Sequence, residues 1–241
     1  TLLTTKSSIR ITPKKLRIHG DLLKKILLLG IPAGLQLAVT GFSNVFVQSY
    51  INYFGGSCMA GWTTYAKVDQ LLFLPMQSIS LAATTFVGQN LGKNQPQRAR
   101  QGVTQSLLLA MGFTAVLCVP VVIFAKDIVP FFVKNGTAEA LEYGTLFLQW
   151  LSPFYLLCCF NQIYSGALRG AGNSKAPMVI MLSSFVAFRQ VYLFIMSRIC
   201  NEIIPIAMGY PAGWFLSSFL STVYYHTHKH KLGKYRLIED K

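Results

Sequence analysis

Asp69 stands in Tyr65-Ala66-Lys67-Val68-Asp69-Gln70 and is followed at once by Leu71, Leu72, Phe73 and Leu74. Placing a carboxylate at bilayer depth costs about 2.5–3.5 kcal/mol on insertion scales, so an acid kept there marks an ion or substrate pathway. A second reading leaves it at a helix end, snorkelling to headgroups or paired locally with Lys67. Arg189 lies between Phe188 and Gln190 in another apolar stretch, too deep to snorkel, and must face other helices or a cavity. Its counter-ion is either Asp69 or an acid outside this sequence. The chemistry open to such residues is reversible: an ion or a charged substrate bound and released.

Bond-breaking chemistry fails on its own residues. Tyr164-Ser165-Gly166 has the serine of a membrane protease, but no histidine falls within an apolar stretch to activate it. His226, His228 and His230 alternate with Lys229 and Lys231, and the nearest acid is Glu239, a surface pattern rather than a metal site. There is no His-Glu-x-x-His, no Walker A and no Cys-x-x-Cys, and Gly88 with Gly92 is followed by no Gly-Lys-Ser/Thr. Asp69 has no second carboxylate for paired acid–base work. The expectation is a protein that is not an enzyme and holds neither cofactor nor metal. Cys58, Cys118, Cys158, Cys159 and Cys200 lack the spacing of a disulfide framework, although Cys58 and Cys200 fall near one face, where a bond is open to them.

The elements that must position these residues are membrane helices. The chain is 52% hydrophobic and 12% charged, where a soluble domain carries about 25% charged residues. Six apolar stretches, 26–54, 63–91, 103–125, 145–168, 176–197 and 203–225, each reach the roughly 20 residues that cross a bilayer as a helix. This predicts an all-α polytopic membrane protein. A net charge of +14 raises nucleic acid as a partner, but the basic residues alternate between loops, 17 on one side of the predicted spans and 3 on the other. The partner of this charge is therefore the lipid bilayer, and the positive-inside rule puts the basic side and both ends of the chain in the cytoplasm. Residues 1–25 read as a basic cytoplasmic linker, 26–225 as a six-helix transmembrane bundle and 226–241 as a cytoplasmic tail. A start at Thr1 without a signal sequence leads us to expect an upstream part.

Within the first span Gln36, Thr40, Ser43 and Asn44 follow i, i+4, i+7, i+8 spacing, and Gln48 and Asn52 extend the stripe. Such a stripe serves interhelical hydrogen bonds or lines a wet cavity. Gln70 and Gln77 offer a matching surface on the second span. Pro32 and Pro211 are candidate bend points. After Gly92, Pro96 is expected to open a short cationic helix on the cytoplasmic surface, and residues 126–143 an outer connector with a short helix of its own. Gly166 and Gly170, four apart, allow close backbone approach, with Arg169 reaching headgroups or helix carbonyls.

With these residues in place, the chain resembles the C-terminal half of a MATE (multidrug and toxic compound extrusion) transporter. Gly30-Ile31-Pro32-Ala33-Gly34-Leu35-Gln36 looks like the opening of that family's seventh helix. Thr85-Phe86-Val87-Gly88-Gln89-Asn90-Leu91-Gly92, with Arg98-Ala99-Arg100, looks like the loop after its eighth. Gly166-Ala167-Leu168-Arg169-Gly170-Ala171-Gly172-Asn173-Ser174 looks like the close of its tenth, and Tyr210-Pro211-Ala212-Gly213-Trp214 like the opening of its last.

The resemblance implies one lobe of a twelve-helix, two-lobed transporter that alternates between inward and outward openings. It implies a partner lobe of six helices, and export of cationic or amphiphilic compounds against inflow of H⁺ or Na⁺. Many members carry a glutamate in the seventh helix near where Thr40 stands here; Asp69 fits a branch with an acid early in the eighth. On this reading Asp69 and Arg189 govern ion and substrate, and Gln36, Thr40, Asn44, Gln48 and Gln70 supply cavity hydrogen bonds. Phe46, Tyr50 and Phe73 offer aromatic faces for cations. A lipid-linked oligosaccharide flippase of related fold and a non-transporting membrane scaffold are the alternatives.

Overall fold

The computed structural model describes residues 17–132 and 136–229, which are helical with short connectors. Most of the expected linker and the end of the expected tail lie outside the described residues. Among the described residues six segments are long and apolar enough to cross a membrane. The first three are single helices, α1 (Gly20–Asn52), α2 (Gly56–Gly92) and α3 (Pro96–Ile123). A short helix α4 (Ala125–Phe132) follows outside them. The fourth span is α5 (Ala138–Leu151) and α6 (Tyr155–Gly170), joined by a 3₁₀ turn at Ser152–Phe154. The fifth is α7 (Lys175–Leu182) and α8 (Arg189–Ile199), joined by a π-helical segment at Ser183–Phe188. The sixth is α9 (Ile203–Ala207) and α10 (Gly209–His228).

The helices run further than the apolar stretches did. α1 begins at Gly20, inside the stretch read as a linker, and α10 runs to His228, inside the stretch read as a tail. The separate cationic helix expected after Gly92 does not exist. Pro96 opens α3 itself, and the basic residues Arg98 and Arg100 occupy its first turns. No second proline follows before Pro120 and Gly102 is tolerated inside the helix, so the turn that Pro96 starts propagates straight into the span. The disulfide left open between Cys58 and Cys200 is absent; both are free thiols.

α2 is the central helix and packs on α3, α5 and α6; α1 leans on α7, the π segment and α8; α10 ties the two groups together through α6 and the π segment. Large apolar side chains such as Leu37, Leu81, Val116 and Phe215 point outward. Lipid tails are as apolar as these side chains, so close packing and interhelical hydrogen bonds must hold the bundle instead. α6 and α2 use both. Ser80 Oγ donates to Gln162 O at 2.6 Å, and Thr84 Oγ1 donates to Gly166 O at 2.9 Å. A Cβ on Gly170 would run into the Thr84 carbonyl, so the approach requires glycine.

Candidate functional site

Three of the six spans are interrupted, and each interruption ends beside a polar pocket. Pro153 lies in the 3₁₀ turn that precedes Tyr155. The π segment ends at Phe188, immediately before Arg189. Its wider turn takes carbonyls off the α-helical ladder, and that of Phe185 accepts from Ser43 Oγ at 2.8 Å. The sixth span breaks at Met208, and Pro211 falls in the first turn of α10, where a missing N–H costs nothing. Tyr210 is thereby presented at the helix start.

The pocket these breaks surround has a volume of about 430 Å³. α1 contributes Thr40 and Asn44, and α2 contributes Asp69, Gln70, Phe73 and Gln77. Cys158, Asn161 and Gln162 come from α6, Phe185 from the π segment, Arg189 from α8, and Tyr210 and Trp214 from α10. Its wall is mixed: amide groups, aromatic faces, one acid and one guanidinium.

Asp69 is not paired with Lys67, which is exposed. Tyr65 OH donates to Asp69 Oδ1 at 3.3 Å, the hydroxyl of Tyr155 donates to the same oxygen, and the two hydroxyls lie 3.0 Å apart. Both rings are buried, Tyr155 completely. Tyr155 is wedged by Phe73 at 5.3 Å and Trp214 at 5.2 Å, so its hydroxyl has little freedom to leave the carboxylate.

Arg189 does not pair with Asp69. Its Nη2 donates to Ser43 Oγ at 2.9 Å and to Asn44 Oδ1 at 2.7 Å, and the ring of Tyr210 lies under its Cζ at 4.8 Å. Gln190 Nε2 adds a second donor to Ser43 Oγ at 2.8 Å, which locks α8 onto α1.

Of the residues expected at the site, Asp69, Arg189, Thr40, Asn44 and Gln70 line this pocket together. Gln36 does not. It is buried against α7 and donates to the sulfur of Met181. Gln48 is exposed and lies off the pocket wall. Four residues turn an α-helix about 40° past a full turn, so a stripe at that spacing winds around the helix and cannot keep one face. Pro32 is buried in an α1 that continues unbroken past it, whereas Pro211 stands next to a real discontinuity.

Sequence reasoning passed over Tyr65, Tyr155, Tyr210 and Asn161. The signal available for Tyr65 was its place one turn before Asp69. Tyr155 and Tyr210 follow a proline by two residues or precede one directly, where broken helices present side chains to a cavity.

Comparison with known proteins bears on this arrangement. The chain is 26% identical over 211 residues to probable multidrug resistance protein YoeA of Bacillus subtilis (strain 168), a match covering 87% of this chain and 45% of that protein. Against probable multidrug resistance protein NorM of Thermotoga maritima it is 25% identical over 175 residues, 73% of this chain and 37% of that one. Its fold matches an outward-facing multidrug resistance MATE family transporter of the MOP superfamily with a TM-score of 0.87 at 16% identity, over 97% of this chain and 52% of that structure. The chain thus spans about half the length of the proteins it matches, and has the fold of one lobe. These relatives are transporters, not enzymes. The MatE family model matches residues 32–195, most of the bundle and nearly all of the pocket wall, and the chain belongs to that family.

Proposed function

We propose that the chain is one six-helix lobe of a multidrug efflux antiporter, working with a second six-helix lobe by alternating access. Cationic or amphiphilic compounds leave as H⁺ or Na⁺ flows in, across the plasma membrane, with the basic faces and both ends of this chain on the cytoplasmic side. The observation that carries this reading is Asp69: an acid on a membrane-spanning helix, in a polar pocket, held by two neutral hydroxyls. A carboxylate paired with a fixed cation is already compensated. One dressed only by tyrosines remains open to a proton, a sodium ion or the positive charge of a substrate, and only one of these fits at a time.

Competition at one acid gives exchange its stoichiometric basis. The bound ion must favour one opening of the lobes over the other, since equal affinity in both states shifts nothing. The breaks at Ser152–Phe154, Ser183–Phe188 and Met208 are the places where a span bends without dismantling its packing, with Pro211 at one of them and Pro32 as the corresponding candidate in α1. Asn44, Thr40 and Gln70 serve as hydrogen-bonding groups toward the substrate; Gln36 and Gln48 are assigned to packing and surface instead.

The test is efflux of a fluorescent cation from proteoliposomes holding the assembled two-lobed protein, under an imposed H⁺ or Na⁺ gradient. Gradient-driven efflux that Asp69→Asn abolishes, with normal insertion, is the expected result. Efflux unchanged by Asp69→Asn returns the residue to a packing role, and no flux under either ion turns the assignment toward lipid-linked substrates or a scaffold.

A further inference from the structure

The basic end of the bundle carries a further concavity, between α1 and α7, that exchange at Asp69 does not use. Its volume is about 470 Å³. Leu23, Leu27, Ile31 and Pro32 of α1 give it an apolar floor, and Lys24 and Lys175 are its charged residues. Both lysines are exposed, as are Leu23, Leu27 and Ile31. Lys24 lies in the second turn of α1 and Lys175 is the first residue of α7, so the ammonium groups stand at the outer end of the groove. One turn beyond Pro32, Gln36 meets Met181 of α7, and there the two helices close together.

Length fixes the depth of these groups. α1 has 33 residues and is therefore about 50 Å long, against a hydrocarbon core of about 30 Å. Its opening turns stand at headgroup level, and Pro32 lies about 12 Å further along the helix than Lys24. Ammonium groups at headgroup level above an apolar floor match the polarity of a phospholipid, phosphate outside and acyl chain inside. Charge narrows the class. Asp21 is the one acid among the described residues at this end, against Arg17, Lys24, Lys25 and Lys175. Lysines placed beside a span attract anionic headgroups, whereas a choline headgroup brings a cation of its own to the same place.

We propose that the groove between α1 and α7 is a selective site for an anionic phospholipid of the leaflet on the basic side. Its phosphate sits at Lys24 and Lys175, and one acyl chain runs along Leu23, Leu27 and Ile31. At 100° per residue, Leu27 and Ile31 fall roughly 140–180° around α1 from Thr40 of the polar pocket. A second lobe that completes the pocket meets α1 on that other flank and leaves the groove to the bilayer. The assignment needs only a membrane-embedded bundle, so it stands or falls apart from efflux at Asp69.

The test is photolabelling of the assembled two-lobed protein in dioleoylphosphatidylcholine proteoliposomes. A trace of phosphatidylglycerol, or of phosphatidylcholine, carries a diazirine in one acyl chain, and labelled residues are mapped by mass spectrometry. The readout is the ratio of phosphatidylglycerol to phosphatidylcholine label at 20–32, set against outward-facing Leu108 and Val116 of α3 in the same sample. A ratio several-fold above that of α3 is expected. Lys24→Gln and Lys175→Gln should each lower it about fivefold. Leu27→Trp fills the groove, keeps both charges, and should reduce phosphatidylglycerol label at 20–32 while α3 is labelled as before. Glycerol 3-phosphate, the headgroup ester without tails, should not compete at millimolar concentration. A ratio equal to that of α3, or one the lysine variants leave unmoved, means ordinary boundary lipid and overturns the proposal. Competition by glycerol 3-phosphate overturns it in favour of a site for free phosphate esters. A labelled α3 with no label at 20–32 means that the second lobe or another segment of protein covers the groove, and overturns it as well.

Discussion

Asp69 and Arg189 share one pocket without bonding to each other: the acid takes the hydroxyls of Tyr155 and Tyr65, and the guanidinium takes Ser43 and Asn44. The two sets of partners belong to different halves of the bundle. Asp69, Tyr65 and Tyr155 sit on α2 and α6, which pack directly, while Arg189, Ser43 and Asn44 join α8 to α1. The pocket thus takes its two charges from two separately packed groups of helices.

The buried hydroxyl of Tyr155 and the partly buried carboxylate of Asp69 form one hydrogen-bonded unit, and a unit of this kind responds non-additively. Tyr155→Phe leaves a charged acceptor short of a donor and is expected to cost about 1–3 kcal/mol. Asp69→Asn removes the group that most needed that donor, so adding Tyr155→Phe to it should cost less than Tyr155→Phe alone. Thermal unfolding of the two single variants and the double variant in detergent measures the coupling, expected at roughly 0.5–3 kcal/mol. Additive losses would mean that the Tyr155 hydroxyl does not act through Asp69.

Ser43 accepts from Arg189 and Gln190 and donates to the carbonyl of Phe185 in the π segment. One small hydroxyl therefore holds α8 and the π segment to α1. Ser43→Ala is expected to destabilise the protein by about 1–3 kcal/mol through the donors it strands. In hydrogen exchange the amides of 183–190 should exchange faster while those of α2 and α6 stay protected. Uniform loss of protection across the bundle would count against this local role.

The backbone contact between α6 and α2 gives a sharper stability prediction. A methyl at Gly170 meets the Thr84 carbonyl, a backbone atom that cannot rotate away, whereas at Gly112 nothing lies within 4 Å. Gly170→Ala should therefore destabilise by about 1–3 kcal/mol as overpacking does, and Gly112→Ala should be neutral or stabilising by up to about 1 kcal/mol. Paired melting curves settle it, because helix propensity alone favours alanine at both positions.

The spans, the family resemblance and the two pocket charges were all legible in the sequence, because length, hydropathy and a buried charge are local signals. The walls of the pocket were less so. Thr40, Asn44 and Gln70 were found by type and spacing, but Tyr155, Tyr210 and Asn161 reach the site through the breaks at Ser152–Phe154 and Met208 and the packing of α6 on α2. Those are tertiary facts. The π segment is invisible for the same reason: Ser183–Phe188 is as helical by composition as its neighbours, and its wider turn depends on contacts with α1 and α10. The cationic helix expected after Pro96 failed differently, since charge was read as marking a boundary where the backbone had no reason to stop.

The polar stripe of α1 separates what periodicity predicts from what packing does. Asn44 lines the pocket and holds Arg189, Gln36 is buried on Met181, and Gln48 is exposed off the pocket wall. Alanine at each should give three different outcomes. Asn44→Ala is expected to weaken substrate binding several-fold while costing about 1–3 kcal/mol of stability, because Arg189 loses a charge-assisted partner. Gln36→Ala should lower stability without changing the affinity of the protein that remains folded, since its hydrogen bond goes to Met181 on α7 and it does not line the pocket. Gln48→Ala should change neither by more than about 0.5 kcal/mol. Melting temperature and ligand affinity measured on the same three preparations separate these cases, and a loss of affinity in Gln48→Ala would show that the stripe faces the cavity along its whole length.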